Sequence, residues 1–236
     1  NELTYNDQGK ISKSKDAEGR TTNFSYNAWT TTTTDSKNRT FSSKQNAYGQ
    51  IQETIDPQSY STTYEYNILN LPTKITTWYP FPDQASSTFR YDVLGRKIEA
   101  TDPDLGTWKY EYDANSNLIA QTDAKNQTLR FEYDALNRIT KKTYPDNKTI
   151  TYEYDRGANA IGHRSKMIDL TGSSEYFYDI RGQLVKEKKI IATEEAITEY
   201  GYNSGGNLIW TKYPDGEKVE RDYNQFGQLE KITGQD

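Results

Sequence analysis

Tyr110-Glu111-Tyr112-Asp113-Ala114-Asn115-Ser116-Asn117-Leu118 returns 21 residues later as Phe131-Glu132-Tyr133-Asp134-Ala135-Leu136-Asn137-Arg138-Ile139. The shared phrase is aromatic-x-Tyr-Asp, then a turn that ends in Gly, Asn or Ser, then an apolar residue. It recurs as Phe89-Arg90-Tyr91-Asp92 with Gly95 and as Tyr176-Phe177-Tyr178-Asp179 with Gly182 and Leu184. With Asn in place of Asp it stands at Tyr64-Glu65-Tyr66-Asn67, Tyr200-Gly201-Tyr202-Asn203 and Tyr223-Asn224 with Gly227 and Leu229. A repeat of 20 to 50 residues signals an array of one small structural unit.

The tyrosine before Asp or Asn falls at positions 5, 26, 66, 91, 112, 133, 154, 178, 202 and 223. A gap of 40 after Tyr26 hides one further copy, Asn46-Ala47-Tyr48-Gly49-Gln50-Ile51, in which Gln45 occupies the tyrosine place. Eleven units of about 21 residues therefore cover residues 1–236, which predicts a single array without an internal domain boundary. Between markers lies a second, weaker turn, as at Asp16-Ala17-Glu18-Gly19, Asp123-Ala124-Lys125-Asn126 and Tyr144-Pro145-Asp146-Asn147. Both turns match type I chemistry: Asp or Asn at the first position hydrogen-bonds its own backbone, and Gly or Asn at the fourth tolerates a positive φ.

Segments between such turns have room only for short strands. Phe89 and Tyr91, Tyr110 and Tyr112, and Tyr152 and Tyr154 lie two apart and share one face, while Arg90, Glu111 and Glu153 point to the other. Thr, Tyr, Ile and Phe enrichment suits strands, and no window carries a capped helical period. Residues 193–197 are the one helical candidate, read in preference as an elongated hairpin tip. The prediction is all-β: tandem hairpins forming a continuous, spiralling antiparallel sheet.

Composition agrees once order along the chain is considered. An apolar fraction of 33%, a charged fraction of 27% and a mean hydropathy of -1.03 lean toward disorder, yet 20 Tyr, 7 Phe and 4 Trp do not. Aliphatics are too few for two fully buried sheets, which favours a single layer with one half-wet face. No apolar run approaches the ~20 residues of a membrane span. The absence of Cys excludes disulfides and thiolate metal sites. A net charge of -5 with dispersed basic residues gives no electrostatic footprint for nucleic acid, and residues 186–189 read as a solvated strand edge.

Tyr91-Asp92-Val93-Leu94-Gly95-Arg96 followed by Asp102-Pro103-Asp104-Leu105-Gly106, together with Tyr112-Asp113-Ala114-Asn115-Ser116-Asn117-Leu118, resembles the YD repeat of the Rhs family. The resemblance covers all eleven units. Weaker copies depart from it at Thr30 and Ala158, where Gly or Asn is expected, at Lys97 in the apolar place, and at Gln45. It implies a long ribbon that spirals into a hollow shell, as in Rhs proteins, the C components of bacterial insecticidal toxin complexes and the teneurins. It further implies a secreted or bacterial cell-surface protein whose partners are the remainder of its own shell and an enclosed C-terminal toxin-like polypeptide. The family's self-cleaving core is not expected here, because Asp102-Pro103-Asp104-Leu105-Gly106 sits mid-array as an ordinary turn.

Sites that could carry chemistry have simpler readings. His163 is the sole histidine and has no nucleophile elbow beside it, so it reads as a loop residue. The repeated Asp residues are required by turn chemistry whether or not an ion binds, and no calcium-loop pattern accompanies them. Trp29, Trp78, Trp108 and Trp210 could stack on sugars, which keeps binding of cell-surface glycans or a surface partner as the alternative function; they do not recur at one repeat position. Four Asn-x-Ser/Thr matches are expected by chance in so Asn- and Thr-rich a chain. The expectation is a non-enzymatic scaffold with no cofactor and no metal. Its candidate residues are structural: Tyr91, Asp92, Gly95, Tyr112, Asp113, Leu118, Tyr133, Asp134, Ile139, Tyr178, Asp179, Gly182 and Leu184. Since Asn1 and Asp236 interrupt the pattern, unpaired edges and edge-to-edge self-association are also expected.

Overall fold

The computed structural model describes residues 2–78 and 84–235. The expectation concerning Asn1 and Asp236 therefore lies outside the described residues. Within them the chain is all β, with 22 strands from Glu2–Tyr5 to Leu229–Gln235 and no helix. Two compact units emerge, one of Asn1–Glu111 with Thr122–Asn126, the other of Tyr112–Gln121 with Gln127–Asp236.

In the first unit each strand pairs antiparallel with the next in sequence, from Glu2–Tyr5 against Ile11–Lys15 through Lys97–Asp102 against Gly106–Tyr112. In the second the same hairpin order runs from Thr128–Tyr133 against Ile139–Thr143 to Lys218–Tyr223 against Leu229–Gln235. Among the described residues these pairings join neighbours in sequence, because connections of two to nine residues leave no length for a crossover.

Packing follows from composition. Among the described residues the buried apolar side chains are Ala120 and Ala160, and no large side chain is fully buried. The aromatic side chains are half-buried in each unit, Phe89 and Tyr110 in the first, where Arg90 and Glu111 on the opposite face are exposed, and Phe131, Tyr152 and Tyr176 in the second. In the second unit the face opposite its rings is laced by cross-strand ion pairs such as Lys141–Glu132 and Lys166–Glu175, both 3.0 Å. Exposed pairs of this kind contribute roughly 0–1 kcal/mol each. Stability therefore rests on ladder hydrogen bonds, ring packing and the turns.

Among the turns that differ from the common five-residue pattern, three bear on the departures noted in the sequence. Thr30, in the place of the expected Gly, is already in strand: Asn27 pairs with Thr30 across a two-residue loop in which Ala28 takes φ 50°. Ala158 lies in an expanded loop that closes only where the Asp155 N–H donates to His163 O at 3.1 Å. Residues 194–197 are extended, and the hairpin reverses at Ala192-Thr193, with Ala192 at φ 54°, between strands Leu184–Ile191 and Glu194–Tyr202.

Candidate functional site

The feature that recurs along the chain is the Tyr-Asp turn. At Asp134 the main chain closes twice: the Asp134 N–H donates to Arg138 O at 2.9 Å, and the Asn137 N–H donates to Asp134 O at 3.0 Å. Asp134 Oδ1 accepts from the N–H groups of Leu136 at 2.9 Å and Arg138 at 3.0 Å. Its Oδ2 accepts from Arg138 Nε at 2.7 Å. Asn137 sits at φ 61°, so the loop is a type I turn followed by a left-handed residue. The fourth position at Asp92, Asp113 and Asp179 is filled by Gly95 (φ 80°), Ser116 (φ 68°) and Gly182 (φ 76°). Asn, Ser and Gly share the place because short side chains visit this region at least cost.

Hydrogen bonding to the carboxylates sets their protonation. The Arg138 N–H holds Asp134 below the usual carboxylate range against the opposing effect of desolvation, with the Arg138 guanidinium adding to the lowering. The Arg138 guanidinium does the same for Asp155, in the next turn.

A β-bulge follows most of these turns. Tyr133 faces Ile139 while Glu132 faces Lys141, which leaves Thr140 as the extra residue, and the same shift recurs at Tyr91, Tyr154, Tyr178, Tyr202 and Tyr223. Bulges raise local twist and turn a side chain. Here the re-aimed group is the marker tyrosine, whose hydroxyl donates to a main-chain carbonyl of the preceding repeat. Tyr133 reaches Leu118 O at 2.8 Å, Tyr154 reaches Ile139 O at 2.9 Å, and Tyr202 reaches Leu184 O at 2.9 Å. Tyr91 donates to Pro72 O at 2.9 Å and Tyr178 to Arg164 O at 2.8 Å. Burial pushes the phenols of Tyr91, Tyr133, Tyr178 and Tyr202 above their ordinary value. Leu118, Ile139 and Leu184, singled out as apolar positions, thus also act through their carbonyls.

A second link was not legible in the repeat. The residue after the left-handed position reaches over the left-handed residue of the next turn. Gln50 Nε2 donates to Asn70 Oδ1 at 3.2 Å, and Asn117 Nδ2 to Asn137 Oδ1 at 2.7 Å. Arg138 forks onto Asp155, Nη1 to Oδ1 at 3.0 Å and Nη2 to Oδ2 at 2.6 Å, with its guanidinium 4.4 Å from the Tyr154 ring centroid. Leu71 Cδ1 lies 3.3 Å from where a Cβ on Gly95 would stand, and His163 Nε2 lies 2.6 Å from the equivalent point on Gly182. The fourth position is therefore confined by φ and by the preceding turn alike.

Departures from the phrase are accommodated in place. Lys97, standing in an apolar column, lays its ammonium over the rings of Phe89 and Tyr110 at 5.8 and 5.2 Å. His163 stacks on Tyr178 with centroids 4.5 Å apart, the position of a packing residue. Among the described residues no group of three or more His, Asp or Glu side chains could hold a metal ion. Trp210 lies over Gly201 and Trp108 Nε1 donates to Leu105 O at 3.2 Å, whereas Trp29 and Trp78 are about half exposed. Trp78 and Trp108 stand on opposite faces of the first unit, and no common platform for a sugar is formed there.

Comparison with known proteins gives the pattern a family. The teneurin YD-shell family model matches residues 82–234. The chain belongs to the teneurin YD-shell family. It is the family to which the YD phrases pointed, and as a YD-shell member the chain is a structural scaffold. Solved structures share the fold: TcdB2-TccC3 (TM-score 0.84), TcdB2-TccC3-Cdc42 (0.83) and a Photorhabdus luminescens Tc holotoxin pore (0.81), each 14% identical to this chain. Each match covers 99% of this YD-shell chain and 14% of the solved one. No curated protein matches it.

Proposed function

We propose that this chain is a stretch of wall in a larger β-shell that encloses a C-terminal toxin-like polypeptide, in a secreted or surface protein. One observation carries the reading: the polar groups described in the turns are spent inside the array, the carboxylates closing their own turn and the tyrosine hydroxyls and reaching side chains joining one repeat to the next. Tyrosine hydroxyls, turn carboxylates and the reaching side chains of Gln50, Asn117 and Arg138 all have intramolecular partners. A wall needs this, since each hairpin is marginal alone and gains stability from its neighbours. The fold shared with TcdB2-TccC3 supports the same reading.

Containment requires no bond-making group. The half-buried aromatic face offers rings and hydroxyls, which tolerate a passenger chain without anchoring it. The test is protease protection in the natural full-length protein. The segment after this array should resist digestion until the array is unfolded by urea; digestion at the same rate in native and unfolded protein would overturn the proposal.

A further inference from the structure

The first unit exposes an apolar ridge that its own packing does not use. Its Tyr-Asp-type turns at Asn46, Asn67 and Asp92 carry Tyr48, Ile68, Leu69, Val93 and Leu94 at their tips, with 84, 98, 52, 94 and 68% of their surface exposed. The three tips are adjacent, held side by side by the Gln50–Asn70 hydrogen bond and by Leu71 against the Gly95 backbone. Of the described turns at the other ends of these strands, Ser36-Lys37 and Pro57-Gln58 are polar at the tip, and Pro103-Asp104-Leu105 exposes a single leucine. In the first unit, three neighbouring tips that each expose a large apolar side chain are found, among the described residues, on this edge.

We propose that this ridge is an interaction surface that pairs, about a two-fold axis, with the same ridge of a second copy of the chain. Two arguments select that occupant. Five such side chains present on the order of 500 Å² of contiguous apolar surface, at the upper end of what a soluble monomer leaves uncovered. Burying it on both copies removes roughly 1,000 Å², the threshold for a specific though weak interface. Charge agrees: Asn46 and Asn67 are neutral, and Asp92 is paired with Arg96 at 2.6 Å, so the ridge carries no net charge with which to attract an ionic ligand or an anionic lipid. Like apolar surfaces without charge can face each other without repulsion.

The test is sedimentation velocity of the 236-residue chain from about 1 to about 300 μM, the range in which a weak dimer is seen. The chain should dimerise with concentration, and Ile68→Asp with Val93→Asp should weaken association tenfold or more while leaving the far-UV circular dichroism unchanged. The chain contains no Cys. Val93→Cys should therefore be cross-linked into dimers by a bis-maleimide, and Ser36→Cys, on the polar edge, should not. A monomer at every concentration, an unchanged dimer in the double variant, or equal cross-linking of the two Cys variants would overturn the proposal. So would binding of the ridge to phosphatidylcholine vesicles in the absence of dimerisation.

Discussion

Replacing Tyr133 by Phe removes one oxygen and leaves the ring in place, so it isolates the hydroxyl bond that ties one repeat to the preceding one. That bond is 2.8 Å long and reaches the carbonyl of Leu118, 15 residues back. A neutral hydrogen bond of this kind contributes about 1 kcal/mol net, within a range of 0.5–1.5. With a urea slope of roughly 2–3 kcal/mol/M, the unfolding midpoint should fall by about 0.3–0.5 M. Tyr144 supplies the control: it opens the other type of turn, carries Lys142 over its ring at 4.8 Å, and among the described residues has no hydroxyl bond. Tyr144→Phe should stay within about 0.5 kcal/mol of the parent, as removal of a hydroxyl without a bond does. Amide exchange should report where the loss falls, with protection reduced in residues 118–139 and spared in distant hairpins, because coupling in an array runs between neighbours. Equal midpoint shifts for the two variants would refute the idea that the marker tyrosine is chosen for its hydroxyl.

Other consequences can be measured in the same way. Gly201 pairs with Trp210, whose indole fills the space a Cβ would need; Gly201→Glu should destabilise by about 1–3 kcal/mol, and adding Trp210→Ala should recover much of it in thermal melts. Gly182→Ala meets both a left-handed backbone at φ 76° and His163 Nε2, so a loss of at least about 1–2 kcal/mol is expected, read by urea midpoint, with His163→Ala partly relieving it. Acid should weaken the fold through its turns. Asp16 is held down chiefly by the Arg20 guanidinium, Asp134 by the Arg138 N–H and Asp155 by the Arg138 guanidinium. Folded values below the unfolded ones mean that this stability is present above the ordinary carboxylate value near 3.9 and is lost as pH falls through the folded values. The melting temperature should therefore be level from about pH 7 to 5 and drop below about 4, less steeply in Asp134→Asn and Asp155→Asn.

The strands and turns were legible because each rests on chemistry confined to a few adjacent residues. Asp113 before Ser116, or Asp179 before Gly182, specifies a turn by an acceptor and a tolerated φ within four positions, and period-two aromatics mark the strands between. Even the degenerate copy at Gln45 folds as a hairpin, since Asn46 and Gly49 retain the turn and Gln45 still faces Ile51. What escaped was anything set by the neighbouring repeat. The acceptors of the tyrosine hydroxyls lie 14 to 19 residues away and are carbonyls, which every residue possesses. The reaching position is Gln50, Leu71, Asn117, Arg138 or His163, five side chains with no shared type, united only by where the turn places them. Thr30 and Ala158 were recognised as departures, yet whether a turn would shorten, as at Ala28, or expand, as at residues 155–163, depends on what the next strand can pair with.

The proposed containment is tested most directly by electron cryomicroscopy of the natural full-length protein at a resolution sufficient to trace strands. The account predicts that the hairpins of this chain form part of a closed wall, its aromatic face lining a cavity filled by density from a C-terminal segment. A wall that stays open, or a cavity with no polypeptide in it and the aromatic face turned to solvent, would contradict it.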